Sequence, residues 1–232
     1  MLTPLEIEAL STSLRVAGLS TIASLPFGIA IAWLLARTSF PGRGLLNGFI
    51  HLPLVLPPVV VGYVLLLLLG RRGLVGSWLY DAFGVTLVFT WQGAAIASAV
   101  MAFPLMVQAI RLSLESVDHG LEAAARTLGA GPVGVFATVT LPLIAPGILT
   151  GSILAWARSL GEFGATITFV SNIPGETRTL SNAFFALSQA PGNEEAIVRL
   201  LVISIVIALV ALLAAEILAR RVRRRIRGTS RA

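Results

Sequence analysis

The chain has 232 residues, of which 56% are hydrophobic and 12% are charged, and its formal net charge is +6. So few charges could not cover the surface of a soluble domain, in which about 25% of residues are charged, and so much hydrophobicity excludes a disordered chain. The composition predicts an integral membrane protein, and we expect residues 1–232 to form a single transmembrane domain.

The residue types that are missing limit the chemistry of this chain. With no Cys it can form neither a disulfide nor a thiolate zinc site, and its two His, His51 and His119, lie far apart in the sequence. All 17 basic residues are Arg, so a phosphate-binding loop of the G-x-x-x-x-G-K-[ST] type is impossible. We therefore expect no metal, cofactor or catalytic site here, and any ATP that drives the protein must bind to another chain.

Five segments are apolar enough to cross a membrane, which takes roughly 20 residues of helix. In chain order they are residues 14–36, 52–69, 85–110, 146–170 and 198–219. The second segment contains Pro53, Pro57, Pro58 and Gly62. Because proline breaks or kinks a helix, this segment is predicted to be a broken helix, which either borders a pathway or serves helix packing.

The distribution of Arg predicts the orientation of the chain. Seven of the 17 Arg lie in residues 220–232, directly after the fifth segment, and basic residues are enriched on the cytoplasmic side of membrane proteins. With the C-terminus in the cytoplasm and five spans, the N-terminus is outside. The cytoplasmic segments then carry eleven Arg and the outer segments five. The basic tail is thus predicted to fix topology and to meet anionic lipid, and we expect no nucleic-acid partner.

The longest predicted cytoplasmic loop, residues 111–145, contains a short amphipathic helix. Asp118 is a typical helix N-cap and Gly129 a typical stop. Four apolar residues between them share one face at i, i+3, i+4 and i+7 spacing: Leu121, Ala124, Ala125 and Leu128. Such a helix either docks into a groove on a soluble partner or lies on the bilayer surface.

This loop resembles the EAA loop of ABC importer permeases. The matching residues are Glu122, Ala123 and Ala124, then Gly129, and then Leu141 and Pro142, with Val139 where the family has Ile. The resemblance implies that the loop forms a coupling helix that sits in a cleft of the ATPase subunit. Closure of two ATPase subunits on nucleotide would then move two permease subunits, so these residues are the predicted ATPase-coupling site, with Glu122 at the docking interface.

Three further stretches resemble molybdate permeases. Residues 52–63 read LPLVLPPVVVGY, residues 157–166 read ARSLGEFGAT, and residues 171–179 read SNIPGETRT. The second of these stretches is also similar to tungstate and sulfate permeases, whereas the third resembles the molybdate version in particular.

The resemblance implies an all-α integral membrane protein with the ABC importer permease fold, in the bacterial inner membrane. It also implies a homodimer that works with two ATPase subunits, which hold ATP and Mg²⁺, and with an extracytoplasmic molybdate-binding protein. On this interpretation the chain is a transport subunit and not an enzyme.

Two charges inside the fourth segment are candidates for the translocation path or gate. Arg158 and Glu162 lie four residues apart and can pair on one helix face. Charges inside a span are costly and usually face a bundle interior or a pathway. An Arg neutralised by Glu would hold an oxyanion only weakly, which suits a conduit; alternatively, the pair is structural. Ser159 and Thr166 add hydroxyl groups to the same candidate path.

Three rival functions stay open at this point. The same kind of importer could carry sulfate or tungstate. A stand-alone secondary anion carrier would transport without an ATPase, and a non-transporting scaffold would have no use for Arg158 and Glu162. A neighbouring ATPase gene and a gene for a secreted oxyanion-binding protein would distinguish these possibilities.

Overall fold

The computed structural model describes residues 3–229, with side chains described for residues 3–214 and 217. Throughout this part of the chain the regular structure is helical, as predicted. In chain order the helices are α1 (Pro4–Arg37), α2 (Arg43–Val55), α3 (Pro58–Leu69), α4 (Leu74–Phe83), α5 (Trp91–Glu115), α6 (His119–Thr127), α7 (Pro132–Val135), α8 (Leu141–Leu160), α9 (Gly164–Val170), α10 (Leu180–Ser188) and α11 (Glu194–Thr229). A π-helical turn, Phe136–Thr140, joins α7 to α8. The predicted topology signal in residues 220–232 lies outside the described side chains.

The predicted number of spans agrees with the structure when one broken pair of helices is counted. Four helical runs in the described residues are long and apolar enough to cross a membrane: Pro4–Arg37, Trp91–Glu115, Pro132–Leu160 and Glu194–Ala214. Helices α2 and α3 together make a fifth, although the chain bends by 115° between them.

The break in the second span follows from its prolines. Helix α2 ends at Val55, Leu56 is extended, and α3 begins at Pro58. A residue before proline is driven out of the helical region, whereas proline suits the first helical position, where its missing amide would have had no partner. The predicted broken helix is confirmed, but its first half begins at Arg43 rather than near residue 52.

The fourth span differs more from its prediction. A single helix over residues 146–170 is wrong, because α8 ends at Leu160 and α9 begins only at Gly164. The helical run also starts earlier, at Pro132, so most of the predicted loop 111–145 is helical. Glu162 lies in the break, where its Oε1 accepts a hydrogen bond from the amide of Ala165 at 2.9 Å. That bond satisfies a free amide in the first turn of α9 and favours a second helix start at this point.

Helices α1, α5 and α8 form the centre of the bundle and approach one another through small residues. Gly147 of α8 lies so close to α5 that an added Cβ would be 2.2 Å from the Cβ of Ser113. Gly151 similarly faces the backbone carbonyl of Met106, where an added Cβ would lie 2.9 Å away. Small residues let helix backbones come close enough for the packing contacts that hold helices together in lipid.

The two ends of this bundle are held by different contacts. The end that carries α6, called the α6 end, is where α1 and α5 finish and α8 begins. At the opposite end, called the far end, Arg199 of α11 pairs with Glu6 of α1 at 2.9 Å. Glu176 accepts a hydrogen bond there from the amide of Trp91 at 3.2 Å. The segment 171–179 is therefore fastened to the start of α5.

Candidate functional site

Helix α6 has the bounds that its capping residues predict. The Asp118 side chain accepts a hydrogen bond from the amide of Gly120 at 2.7 Å, which fixes the first turn. Two residues past the last helical residue, Gly129 adopts a positive φ of 90°. A side chain at that backbone conformation is strained, so glycine ends the helix as predicted.

The predicted apolar face of α6 is open to the surroundings. Leu121 is 50% exposed and Leu128 is 89% exposed. Ala123 and Ala124 are also exposed, and Pro142, at the start of α8, is exposed beside the half-buried Leu141. Three of the four residues of the apolar face are thus exposed within the described chain, and the fourth, Ala125, is half-buried. An exposed apolar face of this kind is typical of a docking surface.

Glu122, predicted to lie at the docking surface, points inward and makes its contacts within the chain. Its Oε1 lies 2.9 Å from Nη2 of Arg37 in α1 and accepts a hydrogen bond from the hydroxyl of Thr140 at 2.7 Å. The imidazole nitrogens of His119 lie 2.6 Å and 2.9 Å from Nη1 of the same arginine. The side chains of Arg37 and Glu122 are only 10% and 11% exposed. We call Arg37, Glu122 and Thr140 the α6 anchor.

The reason for this inward direction is helical geometry. Glu122 lies about 100° around the helix from Leu121 and about 120° from Leu128, so it projects to the side of the exposed leucines, where Arg37 lies. Arg37 and Thr140 were not among the predicted site residues. Arg37 is separated from Glu122 by 85 positions, and no local pattern marks such a pair.

A cavity of about 650 Å³ lies beside the α6 anchor. Its walls come from α1, α6, α7 and the π-helical turn, and Trp33, Arg126 and Phe136 line it together with the anchor. Because the space next to α6 is not filled by side chains, this helix rests on the bundle through few contacts.

The Arg158–Glu162 pair exists, although not on one continuous helix. Nη1 of Arg158 in α8 lies 2.6 Å from Oε2 of Glu162 in the break. The carboxylate is 1% exposed, whereas the arginine side chain is 28% exposed. The arginine is therefore the more exposed member of the pair.

Ser159 and Thr166, the other predicted path residues, are buried among helices. The hydroxyl of Ser159 receives a hydrogen bond from Ser20 of α1 at 2.9 Å, and that of Thr166 donates to the backbone carbonyl of Phe163 at 2.9 Å. Both side chains are thus used in contacts within the chain. The structure brings Arg158 and Glu162 together and leaves these two hydroxyls off the surface.

The breaks in the second and fourth spans lie against each other. An added Cβ on Gly62 of α3 would lie 2.5 Å from the carbonyl oxygen of Ala165 in α9. One on Gly164 would lie 2.7 Å from Cβ of Pro58. We call this contact of α3 with α9 the α3–α9 junction. Gly62 and Gly164 are the sequence signals for it, since glycine marks close backbone approach.

Comparison with known proteins gives concordant matches. The profile of a family described as "Binding-protein-dependent transport system inner membrane component" matches residues 24–224. The molybdenum transport system permease protein ModB of Escherichia coli (strain K12) is 62% identical over 205 residues, 88% of this chain and 90% of that protein. ModB of Haemophilus influenzae is 57% identical over 201 residues, 87% of this chain and 88% of that protein.

One solved structure shows the same fold at low sequence identity. It is a bacterial ABC transporter involved in the import of the acidic polysaccharide alginate, matched with a TM-score of 0.75 and 20% identity. The match covers 95% of this chain and 80% of the other. At this identity the match establishes the arrangement of helices and nothing about substrate.

Proposed function

The chain belongs to the family of binding-protein-dependent transport system inner membrane components, and on that premise we propose that it carries molybdate into the cell. It is a multi-pass inner membrane protein with the fold of ABC importer permeases. The observation that carries the choice of substrate is the 62% identity, over 88% of the chain, to a molybdenum transport permease.

The proposal assigns the α6 end to the cytoplasm. This end carries the exposed leucines of α6, and the chain has no Lys and hence no phosphate-binding loop of its own. A separate ATPase subunit, present in two copies, receives the apolar face of α6 in a groove. The permease works as two copies, and an extracytoplasmic molybdate-binding protein delivers the ion at the far end.

Transport under this proposal is driven by the different affinities of the partners for two conformations. ATP binding draws the two ATPase subunits together, and each subunit carries an α6 helix with it. The binding protein and ATP favour the outward-open state, and hydrolysis favours the inward-open state. The α3–α9 junction is the candidate gate, because it joins the two broken spans and lies next to the Arg158–Glu162 pair.

Arg158 supplies a weak contact for the ion as it passes. Molybdate is a dianion, and a guanidinium attracts it. Glu162, which lies 2.6 Å from that guanidinium, offsets most of the attraction. A site that attracts and releases the ion suits a conduit, whereas selectivity among oxyanions falls to the binding protein.

The experiment that tests this function is uptake of radiolabelled molybdate by cells lacking their own importer. The chain is supplied with its ATPase and binding protein, and each of the three is omitted in turn. We expect uptake that needs all three proteins and survives excess sulfate, with tungstate as a second competitor. Uptake abolished by sulfate would assign a sulfate system, and uptake without the ATPase would indicate a secondary carrier.

A further inference from the structure

We propose that Arg37 is a positioning residue: through Glu122 and Thr140 it holds α6 on the bundle and transmits displacements of α6 to α1 and α8. This inference rests on the proposed function, since it specifies how the movement of the coupling helix enters the membrane domain. Its basis is the α6 anchor, in which Arg37 and Thr140 belong to none of the motifs found in the sequence.

Glu122 is the single buried residue among the nine of α6. The helix also packs against α7 and the π-helical turn, His119 contacts Arg37, and the cavity of about 650 Å³ lies between α6 and the rest of α1. The polar attachment of α6 to α1 therefore runs through Arg37, which contacts both Glu122 and His119. The two partners of Glu122 lie on two different spans, Arg37 at the last residue of α1 and Thr140 immediately before α8.

The side chain of Arg37 is largely enclosed by the α6 anchor. It is nine-tenths buried, and among the described residues no acceptor lies within hydrogen-bonding distance of its Nε. Removing Glu122 would leave a buried guanidinium without a counter-ion, which is a costly state. Because an unpaired, buried Arg37 is unfavourable, the ion pair keeps α6 next to the end of α1. A displacement of α6 should therefore displace α1 as well.

Helix α1 can carry that movement across the membrane. It is one helix of 34 residues, about 50 Å long at 1.5 Å per residue. At its far end, Ser13 accepts a hydrogen bond from the amide of Leu180 at 2.8 Å, and Glu8 accepts one from the amide of Gly175. The same helix thus contacts α6 at one end and segment 171–179 at the other.

The test compares three permeases assembled with their ATPase and binding protein in lipid nanodiscs or vesicles. Glu122→Ala removes the carboxylate and keeps a good helix former. The second variant exchanges the charges, Arg37→Glu with Glu122→Arg. The matched control is Glu115→Ala, which removes an exposed glutamate that pairs with Arg111 at 2.8 Å at the same end of the bundle.

We measure molybdate carried per ATP hydrolysed, and hydrogen exchange in residues 119–127 and 171–179 with and without a non-hydrolysable ATP analogue. For Glu122→Ala we expect about a tenfold fall in ions per ATP, the range of ordinary coupling energies. We also expect loss of protection in α6, and loss of the nucleotide-dependent change in residues 171–179. The charge exchange should recover most of the coupling, and the control should match the native protein.

Native coupling and native protection in Glu122→Ala would overturn the inference, and so would equal losses in Glu122→Ala and Glu115→Ala. If Glu122→Ala does not fold, Thr140→Val gives the same readouts with the ion pair retained, and unchanged coupling there would count against the anchor. Should the native assembly itself show no ATP-dependent uptake, the proposed function fails. Hydrogen exchange in residues 119–127 of the isolated permease then still shows whether Glu122 holds α6 on the bundle.

Discussion

The α6 end and the α3–α9 junction join helices in opposite ways. At the α6 end, a helix is held by three polar side chains beside a cavity of about 650 Å³. At the junction, backbone meets backbone with no room for a methyl group, as Gly62 and Gly164 show. The first arrangement can shift without a clash, whereas the second must move as one body or separate.

The two regions should therefore respond differently to substitution. Substitutions at the junction should lower the free energy of unfolding, because tightly packed contacts cannot relax around an added group. Substitutions on the outer face of α6 should leave the free energy of unfolding nearly unchanged and act on transport.

Among these substitutions, Gly62→Ala should lower the free energy of unfolding most. Its new Cβ would lie 2.5 Å from a carbonyl oxygen and 2.9 Å from Cα of Ala165, so α3 and α9 must separate, at a cost of about 3 kcal/mol. The measurement is denaturant or thermal unfolding in detergent. The control is Gly48→Ala in α2, where an added Cβ has nothing within 4 Å. Equal stability of the two variants would show that the junction is not tightly packed.

Glu162→Gln should have the second-largest effect, lowering the free energy of unfolding by about 2 kcal/mol. It leaves the buried end of an ion pair neutral, but Arg158 is 28% exposed and can be hydrated in part. Removing both charges, Arg158→Gln with Glu162→Gln, should be milder than Glu162→Gln alone. Unfolding and uptake are measured for both variants. If the double variant regains stability without regaining uptake, Arg158 belongs to the ion path; recovery of both identifies a structural pair.

Gly129→Ala should cost about 1 kcal/mol, the usual penalty for a side chain at positive φ. The strain lies at the end of α6, where φ is 90°, so α6 should fray and transport per ATP should fall. Limited proteolysis of the α6 segment and coupled uptake are the measurements. Gly131→Ala, at a φ of −69°, is the control that should behave as the native protein. If Gly129→Ala leaves the α6 segment as resistant to proteolysis as the native protein and keeps full coupled uptake, glycine is not needed at this position.

Leu128→Asp should have the smallest effect on stability, within about 0.5 kcal/mol, since the side chain is 89% exposed. Its effect on transport should nevertheless be severe if α6 docks as proposed, because a charge would then be buried in an apolar contact with the partner. Co-purification of the ATPase with the permease is the direct measurement. Retained ATPase binding and normal uptake would place the docking surface elsewhere.

Local chemistry was sufficient to predict several features. Hydropathy alone indicates a membrane protein with five apolar segments, and adjacent prolines predict the break before Pro58. Asp118 and Gly129 define the ends of α6. Each of these features depends on backbone preferences and hydration within a few residues, so a short stretch of sequence contains the cause. The family resemblance also lay in short contiguous motifs.

Contacts between distant segments required the folded chain. The pairing of Arg37 with Glu122 spans 85 positions, and it turns the Glu122 side chain toward α1. The break at Glu162 is invisible to hydropathy because α8 and α9 are both apolar, and only its proximity to α3 shows why glycine is needed there. Such contacts are set by how helices rotate and cross when they pack, and rotation depends on all neighbouring side chains at once.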